Sequence, residues 1–435
     1  MKVGRSKEMN MKTIKILCGM LLMLAFTACS SDNDERADAP RFYNVTLTAS
    51  MGDAETRALS EGTGNVITAT FAENDVVVVV DADGVTIVGT LKAQTAGAST
   101  TLSGDLDAST LTNGEEVTLR YRSATANYDG QLGTLAGIAA NQDYEEGTLT
   151  VTSTDPLTFN SNSVTLLAKQ SITKFTFKNG TNPVSVKSFG IAAIGLVQSI
   201  ATNGTETAGA VTGTLGTAAS DVYIALRNNT DAKQTYAFTI KDNAGNWYIT
   251  TKKAKLTYGK NYAVDIALTP LPALTSSDAV GTIGVVGGLP AIVIVNNNTT
   301  KTAVALMNTG ALCPEAYGTY YTFANLPSGD WYVPSKAELE TLAGFSSSWG
   351  APYGVNGRTF TIGGNTLFLP AAGLDDGDND PHDFLYVSEF GYYWSSTPAS
   401  DDALAICLSF SSEVVNIISG YKTDALPVRP FHALN

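Results

Sequence analysis

Hydrophobic and polar residues alternate along much of the chain between residues 41 and 268. In the first clear example, Tyr43, Val45, Leu47 and Ala49 are separated by single asparagine or threonine residues. Because successive side chains of a strand point to opposite faces, a period of two predicts a strand with one buried face. We therefore expect these four side chains to lie in a core.

A second type of pattern is the continuous β-branched run at residues 76–80, which predicts a strand covered on both faces. Asp83-Gly84 then marks a turn before residues 85–88, so the two runs predict a hairpin. Further predicted strands lie at residues 117–121, 148–151, 172–177, 184–191, 222–226, 236–240, 247–251 and 261–268. Short strands at this spacing, with no helix predicted between them, favour antiparallel β-sandwiches.

The β-rich stretch is too long for one sandwich, and we divide it into domains at residues 41–165 and 166–268. Residues 269–273 contain two prolines, which break strand continuity, and we interpret them as a linker. Residues 275–435 differ in composition, since they hold three of the four tryptophans. We treat them as a third domain.

This third domain contains the one clear helix signal, at residues 334–344. Ser335 is placed to cap the free N–H groups, and Glu338 completes a capping box. Leu339 and Leu342 share one face, and Gly344 fits the left-handed position after the last turn. A helix among strands predicts an α+β module.

The first residues have the pattern of a targeting segment. Lys12 and Lys15 flank the start of an apolar run at residues 14–26 that is too short to span a bilayer, and Ala28-Cys29 follows. We predict a signal peptide at residues 1–28, with the cut site resembling that of bacterial lipoproteins. Cys29 would then carry acyl chains that anchor the precursor in the outer membrane. An ordinary secretory signal is the alternative, and residues 29–40 form an acidic linker that resembles a surface-export signal.

The charge balance excludes some partners. The chain carries 27 basic and 41 acidic residues. Removal of residues 1–28 leaves 22 basic and 40 acidic residues, a formal net charge of −18. Such a chain repels phosphate backbones, so we expect no nucleic-acid partner. Only two histidines are present, which leaves little material for a histidine-dependent catalytic triad, and we expect no enzymatic activity.

Two cysteines remain outside the signal peptide and the lipid site, Cys313 and Cys407. A disulfide between them and two buried free thiols are both compatible with an exported protein. Cys407 with His432 also suggests a thiol nucleophile, but its apolar surroundings in the sequence favour a buried hydrophobic side chain.

Two clusters in the third domain suggest ligands. Asp376, Asp378 and Asp380 alternate as oxygen ligands of Ca²⁺ do, but the EF-hand pattern is not met and a solvated acidic loop is the favoured interpretation. No other cofactor is predicted. Four aromatic residues have two interpretations: they form either a sugar-stacking platform or part of the domain core. They are Trp331, Tyr392, Tyr393 and Trp394. We expect the loops at residues 316–330 and 374–390 to make most ligand contacts.

Residues 30–268 resemble the fimbrillin-like subunits of Bacteroidales type V pili. The resemblance is carried by Glu55-Thr56-Arg57-Ala58, Asn74-Asp75, Tyr128-Asp129-Gly130-Gln131-Leu132-Gly133-Thr134-Leu135 and Leu256-Thr257-Tyr258-Gly259-Lys260-Asn261-Tyr262. It implies two tandem transthyretin-like β-sandwiches, a lipoprotein precursor, and cleavage between Arg57 and Ala58 by an arginine-specific protease.

The last third resembles the Fibrobacter succinogenes major paralogous domain, which is related to C-type-lectin-like folds. The matching motifs are Cys313-Pro314-Glu315, the stretch from Trp331 to Leu339, Leu369-Pro370-Ala371-Ala372-Gly373, the stretch from Gly391 to Thr397, and Pro427-Val428-Arg429-Pro430. Residues 316–330 are an insertion relative to this pattern. The triplets of sugar-binding calcium lectins do not occur in the sequence.

The sequence therefore predicts a mainly β protein with two tandem transthyretin-like β-sandwiches and an α+β C-type-lectin-like domain. Loss of residues 29–57 would remove Tyr43, Val45, Leu47 and Ala49, and a donor strand from another pilin would fill the resulting groove. Because family shaft subunits donate their C-terminal strands, whereas this chain continues into a third domain, we expect a pilus tip adhesin. Its expected ligand is a host or bacterial surface glycan or protein. The alternative leaves Arg57 uncut and predicts a static surface lipoprotein that captures glycans.

Overall fold

Alternating and β-branched segments form strands throughout the computed structural model. It describes residues 40–52, 60–61, 67–68, 70–121, 123–230, 232–297, 299–377 and 384–434. Strands account for 54% of the structure and helices for 5%, against the roughly 20–25% strand typical of globular proteins. The predicted mainly β fold class is confirmed.

Most of the strands in residues 42–168 surround the first core. The elements are β1 (Phe42–Met51), β2 (Ser60–Glu61), β3 (Ile67–Thr68), β4 (Val76–Val80), β5 (Ile87–Ala93), β6 (Ser99–Asp107), β7 (Glu116–Tyr121), β8 (Ala126–Asn127), α1 (Leu135–Asn141), β9 (Glu145–Thr154), β10 (Leu157–Phe159) and β11 (Ser163–Ala168). Strands pair in the order β10-β9-β11-β1-β6-β5-β4-β7, and β7 also pairs with β9. The pairing therefore closes on itself around one apolar core.

Helix α1 was not predicted from the sequence. Thr134 caps it, with the Gly137 N–H donating to the threonine Oγ1 at 3.0 Å. The helix has seven residues with Gly137 in its first turns, so it is too short to show a helical period. Ile138 of the helix packs in the second core, together with Tyr128 before the helix and Tyr144 after it.

The second core lies between two sheets. The strands are β12 (Ser171–Asn179), β13 (Asn182–Pro183), β14 (Val186–Ala192), β15 (Leu196–Ile200), β16 (Glu206–Ala208), β17 (Val211–Ala219), β18 (Asp221–Asn228), β19 (Gln234–Asp242), β20 (Trp247–Ala254) and β21 (Asn261–Ala267). One sheet has the order β13-β12-β18-β15-β16, with β21 parallel to β12, and the other has the order β17-β14-β19-β20. Phe175, Phe177 and Phe238 pack between them, with ring centroids 5.2–6.4 Å apart.

The segment that follows β21 is hydrogen-bonded on both sides. The Leu271 N–H donates to the Trp247 carbonyl at 2.8 Å, and the Val285 N–H donates to the Pro272 carbonyl at 2.7 Å. The Trp247 indole N–H also donates to the carbonyl of Gly288 at 2.8 Å. These bonds connect β20 directly to the first residues of the C-terminal region.

The C-terminal region consists of many short strands and one α-helix. The elements are β22 (Ile283–Val286), β23 (Leu289–Asn296), β24 (Lys301–Ala305), β25 (Tyr320–Tyr321), a 3-10 helix (Phe323–Asn325), β26 (Trp331–Tyr332), α2 (Lys336–Ala343), β27 (Ser347–Gly350), β28 (Gly357–Ile362), β29 (Asn365–Pro370), β30 (Leu374–Asp375), β31 (Phe384–Leu385), β32 (Gly391–Pro398), β33 (Leu404–Phe410), β34 (Val415–Tyr421), β35 (Leu426–Pro427) and β36 (Phe431–Ala433).

Helix α2 confirms the predicted capping box. The Glu338 N–H donates to the Ser335 hydroxyl, and the Glu338 carboxylate accepts from the Ser335 N–H. Leu339 and Leu342 are buried in the core, as their spacing predicted. The prediction for Gly344 was wrong, since its φ of −73° is right-handed and its N–H bonds back to the helix carbonyls.

Candidate functional site

Strand β1 is built into the first core rather than lying beside it. Val45, Leu47 and Ala49 are 6%, 4% and 0% exposed, and Tyr43 packs against the same core from a half-buried position. The predicted inward-facing set is therefore the inward face of β1. Its two larger aliphatic side chains each contribute about 1.5–3 kcal/mol of burial free energy.

Both edges of β1 are occupied by neighbouring strands. It runs antiparallel to β6 from the pair Phe42↔Asp107 to Ser50↔Ser99, and parallel to β11 from Thr48↔Ser163 to Met51↔Leu166. Removal of β1 would break the closed pairing at this point. The facing edges of β6 and β11 would then expose unpaired N–H and C=O groups.

The outward face of β1 is held by fewer and weaker contacts. The Asn44 amide donates to Asp105 at 2.9 Å, and the hydroxyls of Thr46 and Ser103 lie 3.4 Å apart. These groups are exposed to solvent, where such bonds contribute little. The inward apolar face therefore dominates the attachment of β1. The predicted cleavage position, Arg57 and Ala58, and the predicted lipid site, Cys29, lie outside the described residues.

The structure separates the four aromatic residues predicted to form a sugar platform. Tyr393 and Trp394 are fully buried, with the Trp394 indole N–H donating to the Tyr321 carbonyl at 2.7 Å. Trp331 is half-buried against His432, at a centroid distance of 5.0 Å. Only Tyr392 of this set belongs to an exposed group of aromatic rings.

That group comprises Phe384, Tyr386, Phe390 and Tyr392, which we call the 384–392 cluster. Phe384 and Tyr386 are 49% and 51% exposed, and the other two are half-buried. Tyr386 meets Phe390 edge-on at 5.8 Å, and the Phe390 and Tyr392 rings are nearly parallel at 5.9 Å. Three of its members were not named from the sequence, although the 374–390 loop containing them was expected to carry contacts.

The turn that presents Tyr386 has an unusual backbone. Tyr386 and Ser388 have φ values of 60° and 69°, a region that residues other than glycine rarely adopt. The turn closes through the Phe390 N–H, which donates to the Tyr386 carbonyl at 3.0 Å. Such strain persists only where surrounding structure fixes it, and it concentrates at functional positions.

The predicted calcium ligands are only partly described. Asp376 is half-buried next to β30, whereas Asp378 and Asp380 lie outside the described residues. Among the described residues, no group of three or more histidine, cysteine or carboxylate side chains has a metal-binding arrangement. The calcium site stays a prediction.

Cys313 and Cys407 are free thiols, and both are buried. Burial raises the pKa of the Cys407 thiol to about 12, which keeps it protonated near neutral pH. Its neighbours Trp394, Ala405 and Val428 form an apolar cluster. This supports the interpretation of Cys407 as a hydrophobic side chain rather than a nucleophile.

A cleft of about 720 Å³ lies between residues 198–212 of the second core region and residues 310–319 of the C-terminal region. Glu315 lines it but is only 6% exposed. Burial raises the pKa of Glu315 to about 7, against the smaller lowering effects of Cys313 and Arg429. Arg429 is itself fully buried and donates to the carbonyls of Ala305 and Phe368.

Comparisons with known proteins match parts of the chain. A family model described as a domain of unknown function (DUF8237) matches residues 356–431, which include the 384–392 cluster. No curated protein matches the sequence.

Several solved structures match about half of the chain. A candidate cell adhesion protein from Bacteroides uniformis has 13% identity and a TM-score of 0.32, covering 52% of this chain and 95% of its own. One from Bacteroides ovatus has 13% identity and a TM-score of 0.30, covering 54% and 97%. A fimbrial assembly protein from Parabacteroides distasonis has 12% identity and a TM-score of 0.27, covering 58% and 95%. Similarity at this level does not determine the function of this chain.

Within the described part of the chain, no helix is long and apolar enough to cross a membrane.

Proposed function

We propose that the protein is a cell-surface adhesin that joins a type V pilus as its tip subunit. In this proposal, the precursor is an outer-membrane lipoprotein acylated at Cys29, and cleavage between Arg57 and Ala58 releases β1. A donor strand from another pilin then occupies the vacated position. The C-terminal region carries the ligand-binding surface.

The observation that carries this proposal is the position of β1. The strand is the first described element of the chain, yet it lies in the middle of the first sheet with three buried inward side chains. A cut in the segment after it would free a strand that only non-covalent contacts hold in place. The groove left behind would have an apolar floor and two unpaired edges, which is what strand addition requires.

The chain beyond β21 supports the proposed tip position. The backbone after β21 is hydrogen-bonded to β20 and continues into the strands of the C-terminal region. Because residues 271 and 272 are bonded in this way and the chain then enters a folded region, this part of the chain is not available to a neighbouring subunit. The subunit can therefore accept a donor strand but not provide one from this part of the chain.

The test starts from the purified precursor treated with an arginine-specific protease. We expect a new N-terminus at Ala58, measured by mass spectrometry, and no such product from Arg57→Lys, which keeps the charge. After mild denaturation releases β1, a synthetic peptide of residues 40–52 should rebind and restore the melting temperature. The same peptide with Leu47→Asp should not, because it would place a carboxylate in the core.

Two results would contradict the proposal. One is a precursor that stays intact at Arg57 while the protease cuts a reference substrate. The other is a cleaved protein that loses β1 without ever accepting an added strand.

The second candidate function is a static surface lipoprotein that captures glycans. The long antiparallel pairing of β1 with β6, from Phe42 to Ser50, favours it, because an uncut chain is already complete. The two candidates differ in the mature N-terminus. Protein taken from the cell surface should begin at Ala58 in the pilus proposal and at acylated Cys29 in the static one.

A further inference from the structure

The 384–392 cluster exposes more aromatic surface than the other aromatic groups predicted from the C-terminal sequence. Three of the rings contact one another, with Tyr386 lying 5.8 Å from Phe390 and 6.5 Å from Tyr392. Phe384, two residues before Tyr386, packs on Tyr320 at 4.9 Å. Large exposed aromatic side chains on a rigid surface commonly mark a binding site.

The cluster is held by contacts that leave little freedom. Gly373, with φ of 64°, lies directly beneath the turn, where an added Cβ would clash with the Leu385 carbonyl. The Ser388 N–H donates to the Ala371 carbonyl at 2.8 Å, and the Asn356 amide donates to the Ser388 carbonyl at 3.0 Å. The left-handed turn is therefore fixed from below, and its aromatic side chains are held in place before any ligand arrives.

The scarcity of positive charge around the cluster disfavours anionic ligands. From residue 359 to residue 421 the sequence contains no lysine or arginine, and residues 275–435 carry five basic and fifteen acidic side chains. Three of the five cations are engaged elsewhere: Lys336 by Glu340, Arg358 by the Ser411 carbonyl, and Lys422 by the Asp402 carbonyl. A sulfated, phosphorylated or otherwise anionic ligand would find no counter-charge here.

The ring geometry disfavours a cationic ligand as well. A cage for an ammonium group needs rings that surround an open space. Here Tyr386 packs directly on its two neighbours, with interplanar angles of 75° and 62°. The exposed rings of Phe384 and Tyr386 instead offer apolar surface, which matches the flat C–H face of a sugar ring. Tyr386, Tyr392 and the exposed Glu389 lie in the same stretch and carry polar groups of the kind that bond sugar hydroxyls.

We propose that the 384–392 cluster binds neutral pyranose glycans by stacking of sugar rings on Tyr386 and Phe384, without calcium. This assignment rests on the proposed adhesive function and gives it a ligand class and a site. The site is distinct from the buried pair Tyr393 and Trp394, whose rings no ligand can reach in this fold.

The test uses the mature full-length chain and saturation-transfer NMR, which reports sugar C–H protons in contact with protein. The probes are cello-, xylo-, manno- and galacto-oligosaccharides, with EDTA present, together with heparin fragments and oligolysine. We expect binding of at least one neutral probe. Tyr386→Asn, chosen because asparagine tolerates a left-handed φ, and Phe384→Ser should each lower that affinity by about tenfold or more. Tyr421→Ala removes a tyrosine that is 65% exposed at the end of β34 and should change nothing.

Three results would overturn the assignment. They are binding of no neutral probe by the wild-type protein, binding that both variants retain at unchanged melting temperature, and binding that depends on these residues but selects heparin or oligolysine. The measurement needs neither cleavage at Arg57 nor a pilus. A protein that binds sugar through Tyr386 but never enters a pilus would therefore contradict the tip proposal alone.

Discussion

The side chain of Cys313 packs directly on the backbone of Gly190. A Cβ added at Gly190 would lie 2.5 Å from the Cβ of Cys313 and 2.9 Å from its Sγ. Ala192 and Ala210 complete a cluster of small buried residues at this contact. Strand β14 of the second core region and the segment after β24 approach so closely here because neither contributes a large side chain.

This contact predicts that Gly190→Ala is destabilising. The added methyl group cannot be accommodated without moving Cys313, and overpacking of this kind costs about 1–3 kcal/mol. Gly216→Ala in β17 is the matched control, because a Cβ there meets no atom within 4 Å. Urea titration should show a lower free energy of unfolding for Gly190→Ala only. Equal stability of the two variants would mean that the two regions are not docked as described.

A second prediction concerns the anchoring of β1. Leu47→Ala should lower the free energy of unfolding by about 2–5 kcal/mol, because it leaves a cavity under a strand whose inward face is buried. Thr48→Ala changes the next residue, which points to solvent, and should alter stability by less than about 0.5 kcal/mol. Denaturant titration of the uncut protein measures both. If Thr48→Ala were the more damaging substitution, the register of β1 would be shifted by one residue.

The sequence predicted some elements of the fold, such as β1 and α2, but not α1. The inward face of β1 followed from its period of two, because that pattern is a direct consequence of strand geometry. The capping box of α2 followed from Ser335 and Glu338 for the same reason, since the signal is local. Helix α1 was missed because its stability comes from Ile138 and its neighbours packing in the second core.

The 384–392 cluster could be predicted only in part. Its loop was expected to carry contacts, but the residues were not identified, since the cluster depends on non-local packing. Gly373 contacts the backbone of residues 385–387, and Asn356 bonds to Ser388. Neither contact leaves a periodic signal in the sequence. The buried positions of Tyr393 and Trp394 were likewise open from the motif alone.

A third prediction follows from the two buried thiols. Burial raises the pKa of Cys313 well above its usual value, and that of Cys407 to about 12. Because the thiolate is the reactive form, iodoacetamide should modify neither cysteine in the native protein and both in urea. A chain that begins at residue 29 and carries Cys29→Ala has these two thiols as its only cysteines. Mass spectrometry then counts the labels on each chain.

The positive control for this experiment is Ser412→Cys, which places a thiol at an exposed position between β33 and β34. It should be alkylated in the native state. Native labelling of Cys313 at a comparable rate would show that the cluster around Gly190 opens in solution.

The last prediction concerns the pH dependence of stability. Burial raises the pKa of Glu315 to about 7, whereas its value in the unfolded chain is close to 4.5. Between these two values the native state holds a proton that the unfolded state has released, so the free energy of unfolding falls as the pH rises. The stabilising contribution is complete below about pH 4.5 and is lost above about pH 7, with a total change on the order of 3 kcal/mol.

Glu315→Gln keeps the size of the side chain but removes the proton equilibrium. From pH 5 to pH 8, the wild-type protein should therefore lose stability relative to Glu315→Gln, measured by urea titration at each pH. Glu413→Gln replaces an exposed glutamate and should follow the wild-type curve throughout. If the free energies of unfolding of wild type and Glu315→Gln changed in parallel with pH, the Glu315 carboxyl would be hydrated in solution. The cleft between the second core region and the C-terminal region would then be wider than the structure describes.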